Sequence, residues 1–187
     1  GRNRHFWFET SMENELRFRN QLETGIRRGL GQNEFVPYYE QQVDIDTGEL
    51  VGFEMLARWH SEQLGVVSPE IFIPIAEEMG LITQLSEQLM DRAFADAREW
   101  DDSLTLSVNI SPVQLRDPWF AQKLLKRLVA ANFPPQRLEI EITESCLHEN
   151  ITLVRSMGMP ARTTPACIPG DSVTTCFAAL YAICSSP

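Results

Sequence analysis

Apolar and polar residues alternate with the period of a β-strand in two stretches of the chain. In LTLSVNIS (104–111), Leu104, Leu106, Val108 and Ile110 fall on one face and Thr105, Ser107, Asn109 and Ser111 on the other. In LEIEITE (138–144), Leu138, Ile140 and Ile142 oppose Glu139, Glu141 and Thr143. Further upstream, FVPYYEQQVDIDTGELVGFEMLARW holds two runs rich in Val, Phe and Tyr, separated by Asp46-Thr47-Gly48. That composition predicts a β-hairpin whose second arm is FEMLARW (53–59).

Helical periods fill the intervals. Leu16, Leu22, Ile26 and Leu30 form a loose apolar stripe in a charged segment that Gly29 and Gly31 are expected to end. Ser68-Pro69-Glu70 reads as an N-cap, a proline at the first helical position and an acid in the first turn, with Gly80 closing the helix. Thr83 is expected to cap the next helix, which carries Leu85, Leu89, Ala93, Ala97 and Trp100. Asp117-Pro118 should open another, with Leu124, Leu125, Leu128 and Val129, and Asn150 should cap ITLVRSM. Strands separated by such helices predict parallel βα units. In a doubly wound sheet the polar strand faces would be buried against helices at a cost. In a barrel they point to the interior and its C-terminal mouth, where βα-barrel enzymes keep their chemistry.

The rhythm breaks at Gly158. From there the chain has no Lys and no Glu, its ionisable acids and bases reduce to Asp171 and Arg162, and it holds Pro160, Pro165, Pro169 and Pro187 of the 11 prolines. Each internal proline would interrupt a helix. Residues 158–187 therefore read as an atypical tail, either flexible or out of frame with the fold before it.

At 187 residues and 43% hydrophobic, the chain suffices for one domain with a real core, and 22% charged residues argue against disorder. The net charge of −10 repels polymeric nucleic acid and anionic membranes, so a polyanionic ligand must be held locally by metal ions or placed arginines. There is no run of roughly 18 apolar residues, and GRNRHFWFETSMENELRFRN lacks the apolar core of a signal peptide. The sequence reads as cytoplasmic, without membrane contact by this segment. The spacing of Cys146, Cys167, Cys176 and Cys184 matches neither a redox pair nor a zinc ribbon, so free thiols are expected.

Glu54 and Arg58 sit in a segment whose neighbours are hydrophobic. Glu54 is equally compatible with the wet side of an exposed strand and Glu139 and Glu141 with an outer strand face, while Asn109 is most often a turn or edge residue. Convergence is the alternative: three strands each carry an oxygen donor near the C-terminal end, the ligand type that hard divalent cations take.

FEMLARW resembles the signature of the EAL family of cyclic di-GMP phosphodiesterases, with Met55 in place of the usual alanine. YYEQQVDIDTGELVG, FIPIAEEMGLI (72–82), SVNISPVQL (107–115) and LEIEITES (138–145) are similar to further family blocks, in the family's order, over roughly residues 20 to 157. The resemblance implies a truncated (β/α)8 TIM-type barrel, about the first half of it present, with one antiparallel strand in an N-terminal hairpin. It further implies hydrolysis of cyclic di-GMP to linear pGpG by two Mg²⁺ or Mn²⁺ ions. By motif, Glu54, Asn109 and Glu141 correspond to metal ligands, and Arg58, Glu40 and Leu56 to the substrate site, Arg58 meeting a phosphate. Glu40 and Gln41 stand where the family commonly has Gln and Pro.

The family's later aspartates, its general-base lysine and a further glutamate have no counterpart after Met157. The expectation is thus a phosphodiesterase domain impaired or inactive in this chain; the alternative is a non-catalytic cyclic di-GMP receptor or interaction module. Four strands with open edges also invite pairing with a second copy as a homodimer. The expected organisation is a linker helix over 1–19 from an upstream sensor or diguanylate-cyclase-like domain, the N-terminal half of an EAL domain over 20–157, and the tail over 158–187.

Overall fold

The computed structural model describes residues 3–143 and 174–178. Helix α1 (Asn3–Gln32) leads into strands β1 (Phe35–Val43), β2 (Leu50–Ser61) and β3 (Gly65–Val67). Helices α2 (Pro69–Glu78) and α3 (Ile82–Ala97) follow, then β4 (Thr105–Asn109), the single turn α4 (Pro112–Leu115), α5 (Phe120–Ala131) and β5 (Leu138–Thr143). A last strand, β6, spans Thr174–Ala178. The sheet order is β1-β2-β4-β5-β6, with β3 paired to β2. β2, β4 and β5 run parallel, as the strand–helix alternation predicts, and β1 is the antiparallel strand of the expected hairpin.

Alternation divides the sheet into two faces. One carries Phe35, Met55, Trp59, Leu106, Val108, Leu138, Ile140 and Ile142, all buried in a core with Leu22, Ile26, Leu30, Phe72, Leu85, Leu89, Phe94, Leu124 and Leu128 from the helices. The opposite face carries the polar set. Helices on one face and polar side chains on the other are the arrangement of a barrel wall rather than of a doubly wound sheet.

Several sequence expectations are corrected. Gly29 and Gly31 do not end α1. Gly25 and Gly29 lie against Trp59, where an added Cβ at Gly25 would come 2.9 Å from the indole and one at Gly29 3.1 Å from its Nε1. The glycines let the helix approach the strand, and Trp59 Nε1 then donates to Glu34 Oε2 at 2.9 Å. The helix ends instead at Asn33, in the left-handed region at φ 59°. Gly80 and Asn132 end α2 and α5 in the same conformation. At each end the following amide returns to a carbonyl five residues back, Glu34 to Gly29, Leu81 to Ala76 and Phe133 to Leu128.

Leu81, not Thr83, is the N-cap of α3. Pro118 precedes α5, and Asp117 instead accepts from the Trp119 amide at 3.0 Å and the Lys123 ammonium at 2.7 Å. The hairpin turn is organised by Asp44, whose Oδ1 accepts from the Asp46 and Thr47 amides and the Thr47 hydroxyl. The β5 edge is not open: β6 pairs with it, and does so antiparallel where a βα barrel would continue parallel. The expected cap at Asn150, and Asp171, lie outside the described residues.

Candidate functional site

Strand register decides which polar side chains share a face. Glu40 pairs with Glu54 and Gln42 with Gly52 across β1–β2. Glu54 pairs with Ser107 across β2–β4, and Ser107 with Glu139 and Asn109 with Glu141 across β4–β5. Directly paired residues point to the same side, so Glu40, Gln42, Glu54, Leu56, Arg58, Ser107, Asn109, Glu139 and Glu141 all belong to the inner face. The expected metal-ligand set, Glu54, Asn109 and Glu141, thus comes from three adjacent parallel strands.

Hydrogen bonds tie this set together. Asn109 Nδ2 donates to Glu54 Oε1 at 2.7 Å, reaching diagonally from the C-terminal end of β4. Glu141, 4% exposed, accepts at Oε1 from Gln42 Nε2 at 3.3 Å. The Ser107 hydroxyl lies 3.1 Å from Gln42 Oε1 and 3.3 Å from Glu139 Oε2, and its single proton serves one of them at a time. Glu54 lies only five residues into β2, but it is near the end of the stretch 52–55 that pairs with β4. Past that stretch β2 carries Arg58, paired with Val36 of β1, and then pairs with β3 over residues 59–61.

Arg58 donates from Nη1 to the Ala57 carbonyl at 2.9 Å, and its guanidinium carbon stands 5.5 Å from the centre of the Tyr38 ring. It makes no salt bridge among the described residues. Leu56 is half-buried between Glu54 and Arg58, and Glu40 is exposed. Arg58 is the one Arg or Lys among the paired strand residues of this face. Glu40 and Glu54 are therefore like charges directly opposite one another, a pairing that costs stability and that a bound cation would relieve.

The helical side braces the end of β4. Ser111, the N-cap of α4, accepts from the Val113 amide and forms a capping box with Gln114. Its hydroxyl also donates to Glu77 Oε1 at 2.5 Å, fixing the strand end to α2. The blocks FIPIAEEMGLI and SVNISPVQL therefore meet in space. Sequence reasoning left out Gln42; the signal was the hairpin register, which places residue 42 on the face of residues 52 and 54.

Donor chemistry fits a hard divalent ion: two carboxylates and an amide oxygen, all neutral or anionic oxygen ligands. Among the described residues no group of three or more His, Cys, Asp or Glu side chains could by itself hold a metal ion. Among the same residues, no helix is long and apolar enough to cross a membrane.

Comparison with known proteins bears on the family and the fold. The EAL domain family profile matches residues 23–159. An uncharacterized signaling protein of Caulobacter vibrioides is 38% identical over 150 residues, covering 80% of this chain and 18% of its own length. The bifunctional diguanylate cyclase/cyclic di-GMP phosphodiesterase MucR of Pseudomonas aeruginosa is 32% identical over 149 residues, covering 78% of this chain and 22% of its own. The solved structure of the PaMucR phosphodiesterase in complex with cyclic di-GMP matches at a TM-score of 0.68 and 28% identity, covering 73% of this chain and 58% of that one.

Proposed function

The chain belongs to the EAL domain family, and from that premise we propose that its inner sheet face is a cyclic di-GMP phosphodiesterase site, impaired in turnover in these 187 residues. The observation that supports this most is the link of Asn109 to Glu54 at 2.7 Å, with Glu141 in register beside Asn109. Glu54, Asn109 and Glu141 would hold Mg²⁺ or Mn²⁺. When bound, such a cation supplies acidity to a coordinated water and offsets charge on phosphoryl oxygens.

The chain's own residues bind and orient. Arg58 directs its remaining N–H donors at a phosphate, and Tyr38 beneath its guanidinium narrows the orientations that side chain samples. Leu56 offers an apolar contact to a purine face, and Glu40 accepts from ring N–H donors at a guanine edge. Nothing after Met157 matches the family's general-base lysine, and the remaining ligand set is three residues, so water activation is weak in this chain. On the same reading, α1, exposed over residues 12–21, connects to a preceding signalling domain.

The test incubates the purified chain with cyclic di-GMP and Mn²⁺, following linear product by chromatography and binding by calorimetry. Mn²⁺-dependent binding, weakened in Arg58→Ala, with slow product formation that disappears in Glu54→Ala, is the expected result. Binding with no product in any preparation would reassign the chain as a receptor. A folded chain that binds neither ligand nor Mn²⁺ would overturn the proposal.

A further inference from the structure

Gln42 stands on the edge strand β1, with β2 and β4 between it and β5. Its Nε2 nevertheless lies 3.3 Å from Glu141 Oε1. The crossing is open because its register partner on β2 is Gly52, which has no side chain to block it. The fully buried Ser107 of β4 holds the other end of the amide, 3.1 Å from Gln42 Oε1. The amide NH₂ faces Glu141 and the amide oxygen faces the Ser107 hydroxyl, so both ends of the amide are engaged. Gln42 is thereby held in one orientation, spanning the sheet.

We infer that Gln42 is a positioning residue of Glu141, helping to fix the orientation of that carboxylate for cation coordination; this rests on Glu141 being a ligand, as proposed above. The backbone of Glu141 is secured independently, by pairing with Asn109 and by its carbonyl accepting from the Ile110 amide at 3.0 Å. What Gln42 contributes is the side-chain orientation. A carboxylate held by such a hydrogen bond enters coordination with its rotamer already chosen, and loss of an outer hydrogen bond of this kind typically weakens metal affinity by about 10- to 100-fold. Gln42→Met keeps the length of the side chain and removes the donor.

The experiment measures Mn²⁺ affinity of the full chain by loss of the free-ion electron paramagnetic resonance signal, with thermal midpoints taken in parallel. The variants are Gln42→Met, Glu141→Gln and the double substitution. Gln42→Met should weaken Mn²⁺ binding at least ~10-fold, Glu141→Gln should weaken it further, and Gln42→Met should have no added effect in the Glu141→Gln background. A Glu141→Gln chain that binds as the unsubstituted one does would remove the ligand assignment and this inference with it. If Glu141→Gln weakens binding and Gln42→Met does not, or if the two losses simply add, the inference fails while the ligand assignment stands. Should Gln42→Met unfold the chain, Ser107→Ala replaces it: it frees the far end of the amide, and its loss of affinity must likewise vanish in the Glu141→Gln background.

Discussion

Asn109 turns its amide nitrogen toward Glu54, 2.7 Å away across the β2–β4 ladder. The contact gives a hydrogen bond to a carboxylate that also faces Glu40 in register. Asn109→Asp would replace a donor with a fifth carboxylate on a face that already carries Glu40, Glu54, Glu139 and Glu141. Without added cation this should lower the thermal midpoint, by a destabilisation of about 1 kcal/mol at this exposed position. Mn²⁺ should restore it, because a ligand that binds the folded state alone stabilises by mass action. Asn109→Leu should lose both the Glu54 contact and the Mn²⁺ response. Equal midpoints for all three chains with and without Mn²⁺ would count against a cation on this face.

Gly52 sets the spacing of β2 and β4. A Cβ there would come 2.3 Å from Thr105 Oγ1 and 2.7 Å from the Thr105 carbonyl oxygen. The hydroxyl can rotate away but the backbone oxygen cannot, so Gly52→Ala forces the strands apart. The expected cost is about 2–3 kcal/mol in denaturant unfolding. Adding Thr105→Ala should recover only part of it, since the carbonyl contact persists. Full recovery in the double variant would show that the side chain, not the ladder, sets the constraint.

Arg137 carries more of the fold than its place in a surface turn would indicate. Its side chain is 8% exposed, and it donates from Nε to the Leu104 carbonyl at 2.8 Å and from Nη2 to the Ala97 carbonyl at 2.9 Å. It thereby joins the end of α3, the approach to β4 and the start of β5, with its guanidinium 5.2 Å from the centre of the Phe133 ring. Its ion pair with Asp102 adds little, because that carboxylate is fully exposed. Arg137→Met keeps the aliphatic stem and strands two carbonyls, at an expected cost of about 3 kcal/mol. Arg137→Lys, a point charge in place of a fork, should recover less than half of that. An unchanged urea midpoint in Arg137→Met would contradict this assignment.

What the sequence disclosed and what it withheld follow from range. The strict alternation at 104–111 and 138–144 depends on period alone, and it put Ser107 with Asn109 and Glu139 with Glu141 on one side of each strand; that the two sides are the same face comes from the β4–β5 register. Gly80 was legible as a helix end, whereas Asn33 and Asn132 were not, because asparagine tolerates the left-handed region without announcing it. Gly29 misled: its meaning lies in Trp59, thirty positions downstream, against which the helix packs. The contacts of Gln42 and Arg137 were not legible for the same reason: hairpin register places residue 42 on the polar face, but its partner lies across two intervening strands, and Arg137 is defined by carbonyls 33 and 40 residues away. The antiparallel β6 could not be read from a stretch whose prolines and cysteines fit no strand–helix period.

Tyr39 makes the stability of the fold sensitive to alkali. Its hydroxyl donates to Asp96 Oδ2 at 2.6 Å and its ring meets Trp100 edge-on at 5.0 Å. Burial, then the hydrogen bond to Asp96 and that residue's charge, push the phenol well above its ordinary value. The neutral form is therefore favoured in the folded chain. The contribution is fully present below the unfolded-state value of about 10. Above that pH the unfolded chain releases the proton while the folded one keeps it, so stability falls as pH rises, by at most about 1.4 kcal/mol per unit from this group. Tyr39→Phe should cost about 1 kcal/mol at pH 7 through the lost hydrogen bond and should flatten the decline above pH 10. Urea midpoints of both chains between pH 8 and 11 make the comparison, and parallel curves across that range would mean that the phenol titrates alike in the folded and unfolded states.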